Sequence, residues 1–390
     1  MLSFTYQIQS LVYRTAIGMR NSKSYKIRKE AYMRIVPTLQ LVPGMIAAQD
    51  VLTADNRVIL KKGSILTDSL ITKLDLYGVL SVAVQKESAL HPHAWQDPEQ
   101  NFADRVKNSS EFKEFQQNYV VEIDSFKGRL NTVITKNAPL DVQSMIDDAL
   151  KLVQQHKGRI GIFDMLHNMR EYDDSTYSHC MNVGLICYIF AGWMKMSKTD
   201  AELATACGLL HDVGKLLVSK EIIQKPGKLT RDEFEEMKKH PGTGYKLLKE
   251  QDVAEAICNA ALMHHERCDG TGYPFGVTES QIDKFAKMVA IADVYDAMTS
   301  SRVYRGPMCP FHVIEIFEDE GFQKYDVNYI LTFLENIVNT YITNPCRLND
   351  GREGTIIFVN KHKLSRPTVK CGDEYINLSE NPDLFIECLL

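Results

Sequence analysis

Nine cysteines are scattered through the 390 residues without a single C-x-x-C pair. Their odd number and irregular spacing exclude a disulfide framework and a zinc knuckle, and they suit a reducing cytoplasm. Positive charge is not in excess either: 45 Lys and Arg face 50 Asp and Glu, the formal net charge is -5 and the isoelectric point is near 6.1. That balance argues against a protein that coats duplex nucleic acid through a broad basic surface, so a phosphate-bearing ligand has to meet a local basic patch. Long hydrophobic runs are missing. The most apolar stretch, Val183 to Met194, is about twelve residues long and holds two glycines, well short of the roughly 18 residues of a membrane span, so it reads as a buried core helix. The N-terminus does not read as a secretory signal either, because Arg14, Arg20, Lys23, Lys26, Arg28 and Lys29 follow its apolar part rather than precede it.

What remains is an ordinary globular composition, 44% hydrophobic and 24% charged, with room for two or three domains and a sizeable core. The pattern predicts a mainly α fold: a helical bundle with a small N-terminal α/β module and a small C-terminal β appendage. Residues 1–32 read as an extension, either disordered or the product of an upstream start, since Met33-Arg34-Ile35-Val36 opens a cleaner segment. Residues 33–90 alternate short strands with one amphipathic segment carrying Leu70, Ile71, Leu74 and Tyr77 on one face. Residues 91–138 read as a connecting helix, with His91 and His93 a surface pair in the loop before it. From residue 139 to 342 helices follow one another, starting with one that Asp141 caps and that carries Val142, Met145, Ile146, Ala149, Leu152 and Val153 on one stripe. Two capping boxes, Thr230-Arg231-Asp232-Glu233 and Asp252-Val253-Ala254-Glu255, predict two helix starts. Residues 343–390 change to short β segments around Thr355 to Val359, Val369, Tyr375-Ile376 and Phe385-Ile386.

Chemistry is concentrated at Leu209-Leu210-His211-Asp212-Val213-Gly214-Lys215. Neighbouring side chains on a helix point about 100° apart, so His211 and Asp212 can meet one point only at a helix end, where Gly214 supplies the turn. A neutral imidazole beside a carboxylate suits Fe, Mn or Zn, and the carboxylate has two oxygens with which to bridge two ions. The dipeptide alone is a weak signal, and its partners carry the case. His179, His240, His264, His265 and Asp293 all sit in the same helical region, mostly where helices begin or end. Asp293 lies in the apolar run Ala290-Ile291-Ala292-Asp293-Val294, where an unpaired carboxylate is costly to bury and a cation is its simplest partner. Asp296 shares its face one turn later and reads either as another group at the site or as a carboxylate behind it.

His211-Asp212-x-Gly214-Lys215 followed by His264-His265-Glu266-x-x-Asp269-Gly270-x-Gly272-Tyr273-Pro274 resembles the HD-GYP branch of the HD phosphohydrolases over about residues 140 to 340. The resemblance implies a phosphodiesterase that hydrolyses cyclic di-GMP to pGpG and GMP by metal-activated hydroxide, with two divalent ions, iron or manganese. It implies metal ligands at His179, His211, Asp212, His240, His264, His265 and Asp293, Asp212 being the bridge. Lys215 would be catalytic with Asp212 and would meet the phosphate, as would Arg302 and Arg305. Gly272, Tyr273 and Pro274 would form a rigid loop, with Tyr273 against substrate, against the metals or packed as a structural aromatic. A diguanylate cyclase with a GGDEF domain is an implied partner, a homodimer an implied assembly, and the cytoplasm the implied location. The Pro43-Gly44-Met45 opening and the Arg366-Pro367-x-Val369 strand also resemble modules that flank such domains.

Three departures from the family pattern stand out. Ser175 replaces the glutamate of members with a third metal, which predicts a binuclear site. Cys268 stands where a bulky residue is common and is either a point of oxidation or a plain buried thiol. Val303 replaces a proline between Arg302 and Tyr304. Two other functions compete: hydrolysis of another cyclic dinucleotide such as cyclic GMP-AMP, and a non-catalytic cyclic di-GMP receptor or interaction module, whose signature would be the loss of a ligand or of the Gly-Tyr-Pro tripeptide. Replacing Arg305 with Ala is expected to weaken substrate binding by about 1 to 3 kcal/mol for the lost charge-assisted contact; KM and kcat both unchanged would remove Arg305 from the site.

Overall fold

A helix that is apolar all round must be enclosed on every side. Thr176–Trp193 and Lys284–Thr299 are such helices, and both bury residues around their whole circumference. The computed structural model describes residues 33–38, 41, 44–52, 58–67, 70–71, 74, 79, 81–85, 106–155, 161–169, 176–223, 225, 229–300 and 308–390. Residues 1–32, His91 and His93 lie outside that set.

Four short strands come first: β1 Met33–Pro37, β2 Val51–Leu52, β3 Val58–Leu60 and β4 Ser81–Gln85. β1 pairs antiparallel with β4, Met33 opposite Gln85, and β2 pairs with β3. Val36, Leu60, Leu66, Leu74 and Val84 form a small hydrophobic cluster of their own.

The helices are α1 Ser110–Lys136, α2 Val142–Gln155, α3 Ile162–Met169, α4 Thr176–Trp193, α5 Lys198–Leu210, α6 Lys220–Ile223, α7 Arg231–Met237, α8 His240–Glu250, α9 Glu255–Met263, α10 Lys284–Thr299, α11 Pro310–Ile316, α12 Phe322–Lys324 and α13 Val327–Thr340. A π-turn, Phe317–Gly321, joins α11 to α12. In α1, Phe112, Phe115, Tyr119, Ile123, Phe126, Leu130 and Val133 recur every three or four residues, and all but the last are buried in the same cluster as the bundle helices. The helix expected as a connection therefore packs on the bundle along most of its length. Ser109 caps its start, its hydroxyl accepting from Phe112 N at 3.0 Å.

Of the two predicted capping boxes, one forms. The Thr230 hydroxyl accepts from Glu233 N while the Glu233 carboxylate accepts from Thr230 N. The other does not. Asp252 has φ +52, a conformation that cannot present its side chain to the helix, so Ala254 becomes the N-cap of α9 and Glu255 pairs with Lys249 instead. The polar pattern was right for a box, but α8 and α9 are joined by so tight a turn that Asp252 is used to reverse the chain.

The C-terminal sheet has the order β8-β7-β6-β5-β9, all antiparallel, from β5 Pro345–Leu348, β6 Glu353–Asn360, β7 Lys363–Cys371, β8 Glu374–Asn377 and β9 Ile386–Leu389. β8 pairs only with residues 368–371 of β7. The N–H groups of Leu364 and Ser365 are instead taken by the Glu318 carboxylate of the π-turn, and Arg366 reaches Glu315 of α11 at 2.7 Å. Ile356, Val369 and Ile386 share the main core with the helices. No helix among the described residues is long and apolar enough to cross a membrane. Glu318→Ala strands these sheet N–H groups and is expected to lower stability by about 1 to 3 kcal/mol in chemical denaturation; a change below about 0.5 kcal/mol, the range of an ordinary surface substitution, would show that this carboxylate does not hold the sheet.

Candidate metal centre

Helix ends aim the site inward. α5 stops at Leu210, His211 is its C-cap, and Asp212 precedes a 3-10 turn, Val213–Leu217. Gly214 serves more than this turn: a Cβ there would meet His240 O at 2.0 Å and Gly244 N at 2.7 Å, so only glycine lets the His211-Asp212 corner lie against the start of α8. His240, read from sequence as standing at a helix break, opens α8 with Pro241 in its first turn. His264 caps the end of α9, His265 follows it, Asp293 lies mid-helix in α10, and His179 lies in the first turn of α4.

Backbone carbonyls fix three of the rings. The Nδ1–H groups of His211, His240 and His264 donate to Gly208 O (2.7 Å), Met237 O (2.7 Å) and Ala261 O (2.9 Å), which leaves their Nε2 lone pairs facing the centre. Asp212 stands between two groups of ligand atoms. Its Oδ1 is 3.2 Å from His240 Nε2 and 3.5 Å from His264 Nε2, and its Oδ2 is 3.4 Å from His211 Nε2 and 3.7 Å from His179 Nε2. Asp293 Oδ1 lies 3.1 Å from His179 Nε2, and Asp293 Oδ2 lies 4.0 Å from His265 Nδ1. The atoms of Asp212, His240, His264 and His265 fall within 4.8 Å of one another, as do those of His179, His211 and Asp293. All seven residues singled out from the sequence are thus brought together.

This donor set fits divalent metal. His211 Nε2 and Asp212 Oδ1 are buried and make no hydrogen bond, a costly state for two lone-pair donors with only other lone pairs nearby. A cation satisfies both, and the mix of imidazole and carboxylate suits Fe, Mn or Zn. Burial would push the Asp212 and Asp293 carboxyls up, but Lys215 beside the first and His179 beside the second hold both well below the usual carboxylate range. Burial would likewise lower His179, yet its hydrogen bonds to Asp293 and Asp296 raise it to about 9. His264 is lowered to about 4, first by burial, and His265 is lowered by burial and by the neighbouring imidazoles. Lys215 meets Asp212 Oδ2 at 2.5 Å; burial works against its charge, and the Asp212 and Asp293 carboxylates more than offset it.

The Gly-Tyr-Pro loop is built around a residue that the sequence did not single out. Glu266 is 2% exposed, and its carboxylate accepts from Phe275 N at 2.7 Å and Val277 N at 3.2 Å. An acidic residue just before a glycine-rich loop, whose N–H groups need acceptors, was the available signal. Gly272 leaves room for that packing, since a Cβ there would meet Glu266 Cα at 2.4 Å. Tyr273 N donates to His265 O, and the Tyr273 ring stacks on His265 with centroids 4.6 Å apart. Asp296 lies behind the site, its Oδ2 accepting from His179 Nδ1 at 2.8 Å. Cys268 is half-buried and burial pushes its thiol up to about 11, so it stays protonated and is poorly disposed to oxidation. Ser175, Arg302, Val303 and Arg305 lie outside the described residues.

In the metal-free protein His179 is a cation, and it must lose that proton to present Nε2. Metal uptake at pH 7 is therefore expected to release about one proton, with affinity falling as the pH is lowered. Calorimetry in buffers of different ionisation enthalpy measures this, and uptake with no proton release would contradict it. The sign carries to stability: with its folded value raised from 6.5 to about 9, His179 stabilises the metal-free fold fully below pH 6.5 and loses that effect as the pH rises through about 9.

Comparison with known proteins bears on the same region of the chain. The HD domain family matches residues 144–329. A Pseudomonas aeruginosa protein named as a cyclic di-GMP phosphodiesterase is 34% identical over 207 residues, 53% of this chain and 50% of the relative. A Thermotoga maritima protein of the same name is 38% identical over 177 residues, 45% of this chain and 48% of the relative. A Vibrio cholerae protein named as a 3'3'-cGAMP-specific phosphodiesterase is 35% identical over 145 residues, 37% of this chain and 34% of the relative. The chain thus spans about half the length of the first two relatives. Residues 144–329, which hold all seven candidate ligands, are thus the part of the chain that is similar to the HD domain family.

Proposed function

We propose that the chain is a metal-dependent phosphodiesterase that hydrolyses cyclic di-GMP to pGpG and GMP. The observation that carries this reading is the Asp212 carboxylate set between two groups of imidazole and carboxylate ligands, with Lys215 on its Oδ2. In the proposal His240, His264 and His265 hold one ion, His179, His211 and Asp293 hold another, and Asp212 serves both, with iron or manganese as the pair. Bound there, the ions would supply Lewis acidity toward the phosphoryl oxygens and an acidified water. The protein's own groups do the rest. Lys215 places a fixed positive charge beside the ligand carboxylates, where a phosphate oxygen can be neutralised, and Arg302 and Arg305 are assigned the same task with planar forks. Gly272, Tyr273 and Pro274 form the wall beside His265. Cys180, a thiol close to this cluster, is buried and held well above its ordinary value, so it serves no nucleophilic role.

The unit proposed to carry the activity is residues 139–342, with the 33–90 module and the 343–390 β appendage outside it. A GGDEF cyclase partner, a homodimer and a cytoplasmic location belong to the same reading. Hydrolysis of a cyclic GMP-AMP is a second reading, favoured by the Vibrio cholerae relative's name.

His211→Ala or Asp212→Ala is expected to abolish hydrolysis of cyclic di-GMP by protein loaded with manganese or iron, with products followed by chromatography. Turnover retained in a variant of verified metal content would sink the assignment. Faster turnover of 3'3'-cGAMP than of cyclic di-GMP would select the second reading, and tight binding without turnover a receptor.

A further inference from the structure

Tyr119 lies in α1, outside the residues 144–329 matched by the HD family, yet its hydroxyl is linked to the metal centre by a buried chain of hydrogen bonds. The hydroxyl donates to Asn182 Oδ1 at 2.7 Å, Asn182 Nδ2 donates to Asp296 Oδ1 at 3.2 Å, and Asp296 Oδ2 accepts from His179 Nδ1 at 2.8 Å. Tyr119, Asn182 and Asp296 are 2%, 4% and 1% exposed. His179 and Asn182 are three residues apart on α4, and Asp293 and Asp296 three apart on α10, so the two faces meet as matched pairs.

Donor chemistry gives the chain one direction. The two Asp296 oxygens are used as acceptors, one by His179 Nδ1 and one by Asn182, so Asn182 turns its NH2 toward Asp296 and its oxygen away from it. That oxygen then needs a donor, and Tyr119 supplies it. Without the hydroxyl the amide can rotate, but a rotated amide sets its oxygen against the Asp296 oxygen, which repels. Asp296 in turn takes the Nδ1–H of His179, and the tautomer that results leaves Nε2 to face Asp293 and Asp212. The same hydroxyl lies 3.2 Å from Ser178 O, in the first turn of α4, and shares its one proton between that carbonyl and the Asn182 oxygen.

We infer that Tyr119, acting through Asn182 and Asp296, is a positioning residue that fixes the ring of His179 as a metal ligand, so that α1 completes a centre whose ligands all come from other helices. This rests on the binuclear reading above, and the test separates the two. Metal-free full-length protein is titrated with Mn(II), with free ion counted by electron paramagnetic resonance, in wild type, Tyr119→Phe, Asp296→Asn and the double variant. Tyr119→Phe should weaken one of two Mn(II) ions about 10-fold and leave the other unchanged, the range for loss of a group behind a metal ligand. Asp296→Asn should weaken the same ion at least as much, and the double variant no further. Equal affinities in Tyr119→Phe and wild type, or losses that multiply in the double variant, would overturn the inference and leave Tyr119 a packing residue. A melting temperature that drops with both affinities intact would overturn it in the same way. Wild-type protein that binds no Mn(II) would instead bring down the binuclear reading, and this inference with it.

Discussion

One buried carboxylate sets the terms for this molecule. Asp212 is fully enclosed and charged, with its two oxygens turned toward different groups of histidines. A charge in that place is tolerable only when opposite charge is brought to it, and the fold does so from several directions. The end of α5, the start of α8, the end of α9 and the first turn of α4 all converge there, and α10 adds Asp293 from the side. Helix ends suit this work because their side chains can point along the axis and their carbonyls are free to orient imidazole rings. Gly208, Met237 and Ala261 serve three histidines in that way.

Without metal the centre is a compromise among protons. His179 takes up positive charge against Asp293 and Asp296, while His264 and His265 are kept neutral. Lys215 leans on Asp212. These substitutes leave His211 Nε2 and Asp212 Oδ1 unsatisfied, which is the clearest physical sign that the arrangement is made for cations rather than for itself. Behind the ligands Asp296 orients the His179 ring, and Glu266 holds the loop that carries Tyr273.

Much of this was legible from sequence because the ligands are of rare types in recognisable company. His211-Asp212, His264-His265 and the Gly-Tyr-Pro tripeptide announce themselves, and Asp293 is conspicuous in an apolar helix. The apolar stripe after Asp141 likewise gave α2, and the apolar run from Val183 gave α4. Helix α8 has no such signal, since Pro241, Gly242 and Gly244 resemble a break, whereas the proline occupies a permitted first-turn position and the glycine at 244 lets Gly214 approach. Strand β5 was missed because Pro345 opens it and it is only four residues long. Glu266 stands in the quoted motif without a role attached to it, and Asn182 and Tyr119 carry no motif; their importance lies in the partners they meet across the fold, and a linear pattern does not hold that information.

Everything proposed for this centre turns on Asp212 joining two metal ions. Crystals of the manganese-loaded protein, with anomalous diffraction measured at the manganese edge, test it most directly. Two anomalous peaks about 3.5 to 4 Å apart are expected, one on each side of the Asp212 carboxylate. A single peak, or peaks that leave Asp212 uncoordinated, would contradict it.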